Sequence, residues 1–247
     1  MSRPFLSIII PCYNEATRLP LTLIDVDRHL SQQDFVSEIV VVVSQGHDHT
    51  PEILKRFQAI IKNLRVINLS ENLGRGYAVK TGMLAARGSW RLVMDADNST
   101  TLVECAKMLP YVTDKSTGCE IAIGSRFLEG SQIDPPAGAR RRFSEKIGRI
   151  FVRIFLLKNI SDTGCGFKLF SGTSAEQIFK LCTTNSWATD TEALVIADRL
   201  GYKIKEVPVF WAYDPGTHRS SQSFFTGLSE YSKIWLNVIT KRYKKSV

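Results

Sequence analysis

The segment Met94-Asp95-Ala96-Asp97 puts two carboxylates two residues apart at the end of an apolar run. On a strand that spacing turns both side chains to the same side. Hard divalent cations such as Mg2+ or Mn2+ take oxygen ligands of this kind and keep open positions for phosphate oxygens, so such a pair can bridge a diphosphate. The bland reading is that aspartates at strand ends cap turns. Upstream, Asn72-Leu73-Gly74-Arg75-Gly76 leads into helical periodicity. Two glycines around a cation at a helix start suit close approach to phosphate or ribose oxygens, although a plain strand-to-helix loop explains them too. Neither a P-loop nor a G-x-G-x-x-G fingerprint fits, because Val79 stands where the third glycine belongs. Two further polar groups end apolar runs: Pro11-Cys12-Tyr13-Asn14-Glu15, and Ser44 to Thr50, in which His47 and His49 flank Asp48. Two histidines two apart, with no third nearby, make a poor metal set.

Elements must carry these groups to one place. Phe5 to Ile10, Glu38 to Val43, Arg65 to Leu69, Trp90 to Asp95 and Glu120 to Gly124 are short β-branched runs of the buried-strand kind. Between them, Leu19, Leu23, Val26 and Leu30 share a helical face, and Thr50-Pro51-Glu52 reads as N-cap, first-turn proline and first-turn acid. Gly76 to Ala86 and Leu102 to Leu109 read as further helices. The alternation predicts an α/β fold, a mainly parallel central sheet flanked by helices, in which ligands bind beyond the carboxyl ends of the strands.

The chain has 247 residues, 44% hydrophobic and 23% charged, a globular balance with room for one large core. Five cysteines without a C-x-x-C pair indicate neither a disulfide framework nor a zinc ribbon, and fit a reducing cytosol. The net charge of +8 is local: residues 138–160 hold seven Lys/Arg and one Glu, and residues 241–247 hold four Lys/Arg. That distribution points to anion-facing surfaces and argues against a nucleic-acid partner. No run reaches the ~18 apolar residues of a membrane span.

Taken in order, "PCYNE", "NLGRGYAVKTGM", "MDAD", "GSR" (Gly124 to Arg126), "DTGCGFKLF" (Asp162 to Phe170) and "WATDTEAL" (Trp187 to Leu194) resemble family 2 glycosyltransferases of the GT-A fold. The likeness covers roughly Leu6 to Trp211 and is greatest to the dolichyl- and polyprenyl-phosphate branch, of the β-glucosyltransferase kind. It implies an inverting transfer from a UDP-sugar or GDP-sugar to a polyprenyl phosphate. Pro11, Tyr13 and Glu15 would line the nucleotide pocket. Asp95 and Asp97 would hold ribose, diphosphate and Mg2+ or Mn2+, and Arg75 and Arg126 would face phosphates. Asp162, Asp190 and Glu192 match acidic positions on the acceptor side, where they would serve as acceptor-site or base residues. The family's usual "VDDGSxDGT" is altered here: Val43 and Ser44 replace its acidic pair, while Asp48 and Thr50 keep their places. Base recognition would then pass to Ser44 or Gln45.

Residues 1–212 would form the catalytic domain, and 213–247 an acceptor loop, an amphipathic helix and a basic tail. In Phe143 to Phe155, Phe143, Ile147, Ile150, Phe151, Ile154 and Phe155 share one helical face, with Arg142, Lys146, Arg149 and Arg153 as a separate stripe. This pattern is that of a helix lying on a membrane surface, or of a surface helix with a solvated basic face. Arg140, Arg142 and Ser144 fall in a phosphate-contacting region of the branch, and His218 or Arg219 in its flexible donor loop. A peripheral protein at the cytoplasmic membrane face is expected, with a homo-oligomer or a separate membrane subunit as further partners. The alternatives are a soluble transferase acting on a sugar or protein hydroxyl, a nucleotidyltransferase, and a non-catalytic relative. The lack of a lysine-bearing glycine-rich loop after Ile10 weighs against the second, and the Asp95/Asp97 pair against the third.

Overall fold

The computed structural model describes residues 3–135, 139–212 and 223–243, and for 139–145 and 223–228 only the backbone course. Seven strands form the main sheet: β1 (Leu6–Cys12), β2 (Ser37–Ser44), β3 (Leu64–Leu69), β4 (Trp90–Val93), β5 (Cys119–Ser125), β7 (Lys168–Ser171) and β8 (Lys203–Pro208). Their order is β3-β2-β1-β4-β7-β5-β8, and β6 (Gln132–Asp134) pairs with β9 (Phe210–Ala212) in a small second sheet. The helices are α1 (Leu19–Ser31), α2 (Thr50–Ile60), α3 (Arg75–Ala85), α4 (Cys105–Thr113), α5 (Ala139–Phe155), α6 (Gly172–Leu181), α7 (Thr189–Arg199) and α8 (Ser223–Ile239), with a 3-10 turn at Leu102–Glu104.

The central strands β1 and β2 are buried along almost their whole length because both faces of the sheet are covered there, whereas the edge strand β8 exposes Lys203 and Lys205. Ile8 and Ile10 of β1 and Val41 of β2 face one core with α1 and α4. Ile9, Val40 and Val42 face the other, with α3, α6 and α7. Each such fully buried aliphatic side chain contributes about 1.5–3 kcal/mol. In α1 the expected Leu19, Leu23, Val26 and Leu30 are the buried face. In α2 the cap is His49, without a side-chain bond, and Thr50 is already helical.

One strand departs from the parallel pattern. β7 is antiparallel to both β4 and β5 and lies between them. Lys168, its first residue, is therefore in register with Val93, near the carboxyl end of β4. The preceding loop, with its acid Asp162, is thus delivered to the Asp95/Asp97 end of the sheet.

The basic helix differs from the expected wheel. Val152, Leu156 and Leu157 are buried, while Ile150, Ile154 and Phe155 are exposed. Phe151 stacks on Tyr231 of α8, Phe155 meets Trp235 edge-on, and Arg149 lies over the Phe127 ring at 3.9 Å instead of standing in a solvated stripe. Helix α8 inserts Ile234 fully into the second core. Among the described residues no helix is long and apolar enough to cross a membrane. The side chains of Arg140, Arg142, Phe143 and Ser144, and the loop bearing His218 and Arg219, lie outside the described residues.

Candidate active site

The loops after β1 and β2 are fastened to each other. Asp48 accepts from the Ala16 amide (2.9 Å) and from the Thr50 amide and hydroxyl (3.1 and 2.7 Å), while the Glu15 amide donates to Thr50 Oγ1 (3.0 Å). Asn14, at φ 54°, accepts from the His47 amide, and a side chain at Gly46 would run into its carboxamide. Burial alone would raise the Asp48 carboxyl, but these donors hold it below its ordinary value. Asp48, which keeps its place in the altered base loop, spends both oxygens bracing that loop. His47 and His49 point outward and are exposed. Ser44 is buried at the end of β2, Pro11 is buried in β1, and Tyr13 is 42% exposed just beyond it.

Glu15 turns back onto Arg18, which holds both its oxygens at 2.8 and 2.6 Å. Arg18 also stands 3.9 Å from Asp97, whose other oxygen accepts the Ser99 amide at 3.0 Å. Burial, then the neighbouring charge of Asp95, pushes the Asp97 carboxyl above its ordinary value. Burial raises Glu15 as well, against the pull of Arg18. Like charges gathered in a partly dry cleft raise one another in this way, and such a cluster gains from added positive charge.

Arg75, the first residue of α3, is the cation that links the two sides. Its Nε and Nη2 donate to Asp95 Oδ1 (2.9 and 2.7 Å), its Nη1 donates to Asp190 Oδ2 (2.6 Å), and its guanidinium lies 4.5 Å over the Trp187 ring. Asp190 sits in the first turn of α7, where the helix dipole favours an anion, and Lys168 Nζ approaches its other oxygen at 3.6 Å. The glycines around Arg75 serve the chain itself. A side chain at Gly74 would meet the Asn185 carbonyl, and one at Gly76 would meet Thr189 and the Ser186 carbonyl. The phosphate-approach reading of these glycines is thus corrected: they let α3 close against residues 185–189. Gly166 plays the same part opposite Asp95, whose carboxylate fills the space a side chain would need.

Asp162 and Arg126 form a second ion pair, at 2.8 and 3.0 Å, with Asp162 only 2% exposed. The amides of Arg126, Gly164 and Cys165 also donate to Asp162, and Arg126 lies between the rings of Phe127 and Trp211 at 5.4 and 5.2 Å. Burial alone would raise the Asp162 carboxyl, but Arg126 holds it below the ordinary aspartate range. A carboxylate so held is a weak base.

Glu192, expected as an acceptor-site or base residue, is enclosed by the protein itself. It is fully buried, and accepts from the amides and hydroxyls of Thr183 and Thr184 and from Tyr243 Oη. The expected base role is corrected to that of an internal anchor.

Residues 7–179 match the model of the glycosyl transferase family 2. The chain belongs to that family. This family 2 transferase is 33% identical over 226 residues to the dolichyl-phosphate beta-glucosyltransferase of Dictyostelium discoideum and 34% identical over 226 residues to that of Drosophila melanogaster. Each match covers 86% of this chain and 68% of the relative, so the chain spans about two thirds of their length. Among solved structures, glucosyl-3-phosphoglycerate synthase from Mycobacterium tuberculosis, in complex with Mn2+, uridine-diphosphate-glucose and phosphoglyceric acid, superposes with a TM-score of 0.66 at 19% identity. That match covers 97% of this chain and 80% of the other. The GT-A fold expected from the motifs is the fold of this family 2 transferase.

Four contributors escaped the sequence reading. Arg18 follows the PCYNE turn in an unremarked stretch, while Lys168, Gly166 and Trp187 lie inside quoted motifs with no periodicity or charge pair to mark them. Arg18 reaches Asp97 from the start of α1, the antiparallel entry of β7 brings Gly166 and Lys168 to Asp95 and Asp190, and the turn before α7 sets Trp187 against Arg75.

Proposed function

We propose that this transferase moves a sugar from a nucleotide diphosphate sugar onto a polyprenyl phosphate, with inversion at the transferred carbon. The observation that carries the reading is that each expected base is already committed. Asp162 is locked to Arg126, Asp190 to Arg75 and Lys168, and Glu192 is sealed in the core. A hydroxyl acceptor needs a base to take its proton, whereas a phosphate oxygen is anionic at neutral pH and attacks without one. The dolichyl-phosphate relatives fit the same chemistry.

In this reading Asp95, oriented by Arg75, and Asp97, in the turn that follows β4, receive the donor. Tyr13 and the Ser44–Gln45 backbone border its base, and Arg126 supplies fixed positive charge toward phosphate oxygens. The donor set at Asp97 and Asp95 fits Mg2+ or Mn2+: two carboxylates, one of them raised by burial and by its neighbour. Such an ion supplies positive charge to the departing diphosphate when bound. The donor sugar is a UDP- or GDP-sugar, with Ser44 or Gln45 in place of the acidic base contact.

The acceptor's lipid tail calls for a membrane surface. Ile150, Ile154 and Phe155 of α5 and Trp235, Leu236 and Ile239 of α8 are exposed together, with Lys146 and Arg153 beside them. Apolar wedges flanked by basic residues bind anionic bilayers from one side, which supports a peripheral protein. Oligomerisation or a separate membrane subunit would use the same face.

Release of nucleoside diphosphate from a panel of UDP- and GDP-sugars, with Mn2+ or Mg2+, tests the assignment. Turnover should depend on added polyprenyl phosphate and collapse in Asp97→Ala. Full activity on a water-soluble sugar with no lipid would sink it. Sedimentation with phosphatidylserine-containing vesicles, weakened by Trp235→Ser, tests the membrane face.

A further inference from the structure

Tyr243 is 6% exposed and sits in the basic tail, where a solvated residue would be expected. Its hydroxyl donates to Glu192 Oε1 at 2.8 Å and accepts from Asn237 Nδ2 at 3.1 Å. Burial and the Glu192 charge push its phenol well above the ordinary tyrosine range, so it stays a donor at any physiological pH.

Glu192 in turn gathers the amides and hydroxyls of Thr183 and Thr184, with bonds of 2.7–3.0 Å. Two more residues of α8 grip the same stretch. Asn237 Nδ2 lies 3.3 Å from Thr183 Oγ1, and Glu230 accepts from the Ser186 hydroxyl. The opposite side of this stretch touches the active site. The Asn185 carbonyl accepts from the Tyr77 amide at 3.2 Å, Gly74 and Gly76 close directly onto Asn185 and Ser186, and Trp187 lies under Arg75. Residues 183–187 are therefore held between the C-terminal helix and the cation that orients Asp95.

We propose that Tyr243 is a positioning residue for the transfer: through Glu192 it holds the 183–187 stretch against α3, and so sets Arg75 and Asp95 for the donor. This rests on the donor site proposed above. Removing the hydroxyl leaves the ring in place and leaves Glu192 one donor short. The stretch is then free to shift, and Arg75 with it.

The experiment compares the full chain with Tyr243→Phe and with Ile234→Val, the latter removing one methyl group from the buried face of α8, in the same core as Tyr243, without touching a hydrogen bond. Amide hydrogen exchange is followed at residues 183–187 and at Tyr77, together with steady-state kinetics. In Tyr243→Phe, exchange should quicken at both places and the donor KM should rise about 3- to 30-fold, with the acceptor KM unchanged. Ile234→Val should move neither. Unchanged exchange at Tyr77 in Tyr243→Phe, or an equal donor effect from Ile234→Val, would overturn the proposal. If the wild type transfers to no polyprenyl phosphate, the acceptor assignment fails. The exchange arm still decides the role of Tyr243, with unchanged protection at Tyr77 counting against it.

Discussion

Arg75 donates two hydrogen bonds to a single oxygen of Asp95, at 2.9 and 2.7 Å, and spends its remaining terminal nitrogen on Asp190 at 2.6 Å. The planar guanidinium fork makes both contacts from one side chain, and an ammonium cannot reproduce that geometry. Arg75→Lys should lower kcat/KM for the donor by about 100-fold, because misplacing a binding carboxylate by an ångström costs that much. Circular dichroism should show the fold intact. Near-wild-type kinetics in this variant would remove Arg75 from the donor site.

Asp190 is buried beside two cations, Arg75 and Lys168. Asp190→Ala leaves the Lys168 ammonium without its carboxylate and leaves Arg75 to Asp95 alone, a loss of about 3–5 kcal/mol in stability. The melting temperature measured by calorimetry should fall steeply. A fall no larger than that of a surface substitution would mean that solvent reaches this pair freely.

In the proposed donor site Asp97 would be a ligand of the divalent cation. Asp97→Asn should cut kcat by at least about 100-fold, since weakening the site for a divalent cation would remove positive charge from the leaving diphosphate, worth several kcal/mol. The variant should also no longer respond to Mn2+ titration, read as kcat against metal concentration. Undiminished metal activation would place the ion elsewhere.

Gly166 leaves the space that the Asp95 carboxylate fills. In Gly166→Ala either the loop or the carboxylate must move, at a cost of about 1–3 kcal/mol. The donor KM should rise while the helical content is kept. Wild-type kinetics at this position would show that the loop before β7 yields without disturbing Asp95.

Asp162 governs part of the acid stability. Its folded-state pKa lies below the unfolded value of about 3.9 because Arg126 outweighs the effect of burial. The stabilisation is therefore complete above that unfolded value and is lost as pH falls through the lower folded value. Asp162→Asn should be less stable than wild type at pH 6, with the difference narrowing toward pH 3, as followed by thermal melts. A constant difference across that range would mean that the Asp162 carboxyl titrates alike in both states.

Much of the fold was legible because buried strands must be apolar and the helices between them amphipathic. The runs at β1, β2 and β4 and the face Leu19-Leu23-Val26-Leu30 lie as their patterns require. The Asp95/Asp97 pair was legible as two acids following a buried run, but β4 ends at Val93, so Asp95 and Asp97 lie in the loop and turn after the strand and do not share a strand face as expected. Where the pattern misled, the competing contact was distant in sequence. Gly74 and Gly76 look like a ligand loop until residues 185–189 occupy the space beside them, and Glu192 looks like an active-site acid until Thr183, Thr184 and Tyr243 enclose it.

The sequence by itself determined the layered α/β core, the family and the strand end proposed for the chemistry, because these follow from local periodicity and ordered motifs. Only the tertiary structure decided which charged residues face that end and which are spent on one another. Ion pairing depends on distances between segments as far apart as Arg75 and Asp190. Those distances are set by the antiparallel insertion of β7 and by the packing of α7 and α8, which no local pattern records.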